Sequence, residues 1–287
     1  MSKKGSDNLS IPLISILMMI ALEEKFIHQQ ESMVIIILMS HLTLMATILY
    51  LSYKVGALSL SGFFGASMMG CLLILYGIPF HFILLASFFI MSSCLNLFIK
   101  KLKRTKTKHS QRSVVQVICN GGIPLLICII NYFHPNLIFN YLFAASVATA
   151  MSDTWATEFG KLSKVKPVAI SSFKPVSHGL SGGVTFIGTI GSLIGSCIIG
   201  LLAYNLISLE KHLIFGIILS GFIGSIIDSI FGDKLQSKYK TPSGEIVEKP
   251  QTGSIIISGH SLVNNDVVNL IATISGPLFM YLYIRII

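Results

Sequence analysis

Five acidic side chains, Asp153, Glu158, Asp228, Asp233 and Asp266, stand at or just inside the ends of long apolar segments. Carboxylates are costly at that depth in a bilayer, and those that persist face a polar cavity or a functional pathway. The chain has only twelve Asp and Glu in all, so five of them at one level is a concentration of its acidity. Such a cluster points to anion-handling chemistry assisted by a metal ion.

Local patterns surround these acids. In Ser152-Asp-Thr-Trp-Ala-Thr-Glu-Phe-Gly160, helical spacing sets Asp153, Ala156 and Gly160 on one stripe. The two small residues let a backbone or a ligand approach the carboxylate, which suits a hard cation such as Mg2+. Helix capping or pairing with a lysine is the plainer alternative. Glu158 falls about 140° away around the helix and needs no part in that role. Trp155, the only tryptophan, reads as an interfacial anchor.

A second pattern is Lys174-Pro-Val-Ser-His-Gly-Leu-Ser-Gly-Gly183. Gly179, Gly182 and Gly183 permit tight turns before a helix whose first N–H groups and dipole attract anions, and Lys174 and Ser181 add a charge and a hydroxyl. No Gly-Lys-Ser/Thr follows, so this is not a Walker A loop. Asp228-Ser-Ile-Phe-Gly-Asp233 closes one apolar segment, and Asn264-Asn-Asp-Val-Val-Asn269 opens the last. Asn265 and Asn269 share a helical face; Asn265 or Asp266 also reads as a helix N-cap. Asn120-Gly-Gly122 adds an amide at an expected helix break. Asp153, Asp228 and Asp266 would repel one another severely if they converged without solvent. Bound Mg2+ with a nucleotide, flanked by Lys174 and Lys234, resolves that conflict.

These groups need a scaffold, and composition names it. The chain is 53% hydrophobic and 11% charged, against roughly 25% charged in soluble domains. The reading is an all-α, polytopic transmembrane bundle of about eight or nine spans. Apolar stretches cover 11–22, 33–53, 55–78, 79–99, 113–133, 137–152, 182–207, 212–232 and 266–287; about 20 residues cross ~30 Å of hydrocarbon. The first stretch and 137–152 are short. Residues 1–32 form an N-terminal tail, 33–112 a scaffold ending in a basic loop, and 113–287 the part carrying the site. Gly188–Ser196 echoes Gly221–Ser229, from a duplicated helix pair or from chance matching in Gly/Ile/Ser-rich helices.

The net charge of +9 reflects topology rather than nucleic acid. With nine spans, eighteen of the twenty-one Lys and Arg fall on one face, leaving Lys25, Lys211 and Arg285 opposite. The positive-inside rule makes the loaded face cytoplasmic, with all five acids on it. The expected location is a multi-pass protein of a prokaryotic plasma membrane without a cleavable signal. Five scattered cysteines and eight dispersed histidines show no zinc-ligand spacing.

Several stretches together resemble the integral membrane family known as domain of unknown function ninety-two, which includes a chloroplast phytyl-phosphate kinase. They are Tyr53–Gly62, Arg112–Gly122, Ser152–Gly160, Pro175–Gly183, Gly221–Gly232 and Val263–Asn269, in family order over roughly residues 40–287. Thr157 stands where the family carries serine. The Asp153, Ala156, Gly160 spacing is also similar to one in the dolichol- and phytol-kinase group, which uses CTP. The resemblance implies a prenyl-phosphate kinase that transfers a phosphate from CTP or ATP, with Mg2+, to an isoprenoid lipid monophosphate. The residue patterns fit that chemistry, with Asp153 and Asp228 expected as Mg2+ ligands and Asp266 as a further ligand or water-orienting group. Lys174 with Gly179, Ser181, Gly182 and Gly183 forms the phosphate cradle; Asn120, Asn265 and Asn269 orient base, ribose or lipid phosphate. The competing class is a transporter or flippase for an anionic lipid or small solute, using the same acids for ion coupling.

Overall fold

The computed structural model describes residues 32–103, 111–207 and 210–287. Within them run α1 (Ser32–Lys54), α2 (Leu60–Tyr76), α3 (Pro79–Lys103), α4 (Val114–Phe133), α5 (Leu137–Gly160), α6 (Phe186–Ile207), α7 (Lys211–Lys234) and α8 (Asn265–Ile286). Five of these, α3, α4, α6, α7 and α8, are long and apolar enough to cross a membrane. The expected first segment, 11–22, and the tail before it lie outside the described residues, as do Arg104, Lys106 and Lys108 of the basic loop.

Helix α5 is the mast of the bundle. Expected as a short 137–152 segment, it continues to Gly160 over 24 residues, about 36 Å at ~1.5 Å per residue. Phe143 to Ser152 are all buried. The sequence underplays this helix because its apolar run stops at Asp153, and its interior is Ala, Ser and Thr rather than Leu and Ile. Those small side chains admit neighbours at close range. Glycines of α6 seat on it, Gly188 against the Ala156 carbonyl, Gly191 against Phe159 and Gly195 against Met151. From α7, Gly221 meets Ala148 and Gly224 meets Thr149; from α8, Gly276 also meets Thr149. Small-residue contact of this kind is how helices associate where no water drives them together.

Polar groups freed inside the bundle are matched across helices. Pro277 cannot donate to the Thr273 carbonyl; Ser146 Oγ of α5 donates to that carbonyl instead at 2.8 Å. At the far end, His81 Nδ1 accepts from the Ile78 amide at 3.1 Å, which leaves Nε2–H to donate to Asn140 Oδ1 at 3.0 Å. Asn131 Nδ2 donates to the same oxygen at 3.1 Å, tying α3, α4 and α5 together. Asn140→Leu strands the buried His81 donor and the half-buried Asn131 donor and is expected to cost about 1–3 kcal/mol. A lowered thermal midpoint in detergent checks this; an unchanged midpoint contradicts it.

Every long connection described lies at one end: 55–59, 161–185 and 235–264, with the return into α4 beside them. The opposite connections, 77–78 and 134–136, are short. The loops carry two small antiparallel sheets that the all-helical reading did not anticipate. One pairs β1 (Val168–Ala169) with β2 (Gly183–Val184); the other has the order β4 (Ile246–Val247), β3 (Lys238–Lys240), β5 (Ile255–Ser258). Their strands are too short to show alternation in sequence.

Candidate functional site

The loop-bearing end opens into a cavity of about 890 Å3 between α3, α4, α5, α6, α7 and the 161–185 connection. Its acidic wall is built by the glycine contacts already described. Gly224 brings α7 onto α5 at Thr149. One turn further along each helix stand Asp228 and Asp153, and their carboxyl groups meet in hydrogen-bonding contact. Asn269 of α8, with its amide nitrogen turned toward the acids, donates to Asp228 Oδ2 at 3.1 Å and to the Asn265 carbonyl at 3.3 Å. Asn264, not Asn265 or Asp266, caps α8, accepting from the Val267 amide at 3.0 Å. Asn265 and Asn269 therefore line the cavity free of capping duty.

Asp266 does not join this wall. It lies outside the cavity lining, on the side of α8 within electrostatic reach of Cys119. Its neighbour Asn265 faces the cavity; consecutive helical residues point about 100° apart, so both cannot face one way. Among the described residues, no three His, Cys, Asp or Glu side chains converge on one point, so the three-aspartate metal set is not assembled. Two carboxylates in contact do fit Mg2+, which is held by one or two carboxylates and completes its shell with water and phosphate oxygens.

The glycine turn forms the next wall. Gly179, Ser181, Gly182 and Gly183 all line the cavity, while Lys174 is exposed on the loop away from it. Gly179 and Gly182 have φ of +88° and +79°, a region L side chains avoid. Asp233 fastens the turn from below. It accepts from the Ser171 amide at 3.2 Å and from the Ser171 hydroxyl, and it pairs with Lys238 Nζ at 3.3 Å. The Ser181 amide is not open: it donates to Glu248 Oε1, brought in by the segment after β4. A carboxylate thus occupies the anion position that the sequence assigns to a phosphate.

The same cavity has a basic part that the motif reading missed. Lys100, Lys103, Arg112 and Lys161 line the cavity around Glu158. Glu158 is buried, with Oε1 accepting from Lys161 Nζ at 2.5 Å and from Asn96 Nδ2 at 2.7 Å, while Oε2 has no partner among the described residues. Burial pulls the Arg112 guanidinium down to about 10, opposed by the charge of Glu158, so it stays positive near neutral pH. In sequence these cations are indistinguishable from those that merely set topology. The available signal was Asn96 and Glu158, polar residues facing each other from two spans.

Asn120 also lines the cavity, but α4 is unbroken there. Its Nδ2 donates to the Gln116 carbonyl at 2.9 Å. Pro124 has no N–H to return to the Asn120 carbonyl. The conformational break expected from Gly121-Gly122 is supplied instead as a freed backbone acceptor. Trp155 stacks on Phe159 at 5.7 Å and packs against the core.

The family model described as "Integral membrane protein DUF92" matches residues 43–277. An uncharacterized membrane protein of Methanocaldococcus jannaschii is 33% identical over 217 residues, 75% of this chain and 81% of the relative. Protein PGR of Arabidopsis thaliana is 28% identical over 256 residues, 78% of this chain and 88% of the relative. An uncharacterized membrane protein of Synechocystis is 30% identical over 105 residues, 37% and 41% of the two chains. No solved structure matches.

Proposed function

We propose, from the premise that this chain belongs to the DUF92 family of integral membrane proteins, that it is a phosphotransferase acting on an isoprenoid lipid monophosphate. The phosphoryl donor is a nucleoside triphosphate, CTP or ATP. One observation carries the reading: a single cavity is lined by an aspartate pair, a glycine turn and a group of cations. Phosphoryl transfer asks a protein chiefly for positioning and charge neutralisation, and these three walls are suited to both.

In the reaction, an oxygen of the acceptor monophosphate bonds to the γ-phosphorus. The bond from that phosphorus to the β-bridging oxygen breaks, and the nucleoside diphosphate leaves with the electron pair. Asp153 and Asp228 would hold Mg2+, which supplies charge neutralisation at the phosphate oxygens when bound. Lys100, Lys103, Arg112 and Lys161 balance the remaining negative charge of donor and acceptor. Gly179, Ser181, Gly182 and Gly183 bring main chain close to phosphate, with Glu248 yielding the Ser181 amide. Asn120, Asn265 and Asn269 orient base, ribose or acceptor phosphate, and Lys174 attracts anions from the exposed face of the turn.

The basic loops support a cytoplasmic orientation of this end in a prokaryotic plasma membrane. The gathering of acids, cations and long loops at one end favours a one-sided enzyme over a carrier with a midplane site. The test incubates purified protein with labelled CTP or ATP, Mg2+ and prenyl monophosphates. Labelled lipid diphosphate is the expected product. No product with either nucleotide, together with movement of the lipid or solute across liposomes, overturns the reading in favour of transport.

A further inference from the structure

A second void, an apolar groove of about 110 Å3, runs between α1, α2, α3 and α4. Met45, Leu49, Met69, Leu73, Phe82 and Phe88 give it its walls. It shares Arg112, Gln116, Asn120 and Thr154 with the polar cavity, so the two voids meet at those four residues.

Arg112 is fixed at this junction by its own main chain. Its amide donates to the Ala57 carbonyl at 3.0 Å, and its carbonyl accepts from the Ser59 amide at 3.1 Å and the Ser59 hydroxyl at 3.2 Å. Gly62 leaves room for that carbonyl, which a Cβ would overlap. The guanidinium lies over the faces of Phe88 and Phe89, 5.6 and 5.3 Å from their centroids. Among the described residues it donates no hydrogen bond and has no carboxylate at ion-pair distance; Glu158 acts on it only through space. A guanidinium carries five N–H donors in a fork matched to phosphate. Here that fork stands at a polar mouth with an apolar groove directly beneath.

The groove has a defined depth. Gly62 of α2 is level with Arg112, and Leu73 at the far wall is eleven residues further along the helix. At ~1.5 Å per residue that is about 16 Å, roughly half of the ~30 Å hydrocarbon thickness. An inorganic phosphate satisfies the guanidinium and leaves the groove unfilled. A molecule with one apolar tail and an anionic head satisfies both.

We infer that Arg112 anchors the headgroup, and the α1–α4 groove holds the tail, of a single-tailed phosphate lipid that enters the site from the bilayer. The phosphotransferase reading supplies the identity of that lipid as the acceptor isoprenoid monophosphate. The groove then sets chain-length preference, and Ala66 and Ala86, the two alanines on its walls, help set its width.

The experiment measures binding without nucleotide, using the full chain in nanodiscs. The probes are farnesyl monophosphate, isopentenyl monophosphate, inorganic phosphate and farnesol. The wild type is expected to bind the farnesyl ester well above the isopentenyl ester. Ala86→Phe is expected to shrink that ratio about tenfold or more, the effect of denying burial to two or so methylenes. Ala66→Leu, a milder filling from the facing helix, is expected to act in the same direction. Arg112→Gln is expected to remove the preference for farnesyl monophosphate over farnesol. Unchanged ratios in both folded wall variants, or a phosphate preference that survives Arg112→Gln, overturn the inference. Tight binding of inorganic phosphate alone, with no preference among the lipids, also overturns it. Phosphoryl transfer is scored separately: its absence with these binding shifts intact rejects the kinase reading and leaves the lipid site standing. Its presence with unchanged ratios does the reverse.

Discussion

If the proposed phosphotransferase reading holds, Asp153→Asn is expected to lower phosphoryl transfer by about 10³-fold, the scale that follows when several kcal/mol of metal-borne charge stabilisation is lost. The substitution keeps shape and volume, so the Ala/Ser/Thr packing of α5 against α6 and α7 is left alone. It also removes one of two carboxyl groups in direct contact with each other. A hydrogen-bonded carboxyl pair shares one proton, and an amide can take the place of the protonated member. The variant without Mg2+ is therefore expected to unfold at or above the wild-type temperature. The wild type, by contrast, is expected to gain stability from Mg2+ by mass action, about 2.7 kcal/mol at a hundred times the dissociation constant, and the variant is not. Thermal scans with and without Mg2+ separate these terms. A variant that keeps both its Mg2+-dependent shift and its activity removes Asp153 from the site.

Asp228→Asn is expected to give the same pair of results, because both carboxyls belong to one contact. The double variant should lose little more than either single one, since groups acting as a unit are not additive. Asp266 provides the contrast. It lies off the cavity wall, and Asp266→Asn is expected to leave the Mg2+-dependent shift in place.

The legible part of the sequence was the part governed by single-chain rules. Apolar length placed the spans, the cost of buried charge marked Asp153 and Asp228, and turn chemistry marked the glycines at 179, 182 and 183. The opaque part depends on what meets across space. Whether Asp266 or Asn265 faces the cavity is a matter of about 100° of helix rotation, fixed here by Asn264 taking the cap. Glu248 reaches Ser181 only because the 235–264 connection folds back over the site. Lys100, Lys103 and Arg112 carry the same signature whether they set topology or bind an anion. Helix α5 reads as short in sequence because its apolar run stops at Asp153, while the smallness of its interior residues lets five helices crowd around it.

Gly182→Ala is expected to dismantle the turn, whereas Gly179→Ala in the same turn is expected to be tolerated. Both glycines hold φ in the positive region, +79° and +88°, which costs an L residue about 1–2 kcal/mol. They differ in what a Cβ would meet. At Gly179 nothing lies within 4 Å; at Gly182 the new carbon would fall inside the main chain of Asp233. That main chain ends α7 and cannot withdraw without pulling Asp228, five residues earlier, off the acidic wall. The loop must lift instead, breaking the Ser171–Asp233 and Ser181–Glu248 contacts that hold it down. The core of the bundle lies elsewhere, around Phe143 to Met151, so global unfolding should move little while the loop opens. Limited proteolysis between residues 161 and 185, read beside the thermal midpoint, distinguishes the two variants. Gly182→Ala should be cut at least about tenfold faster than Gly179→Ala, as ~1.4 kcal/mol or more of extra local opening requires. Equal cutting rates would mean that φ alone limits this turn and that Asp233 does not clamp it.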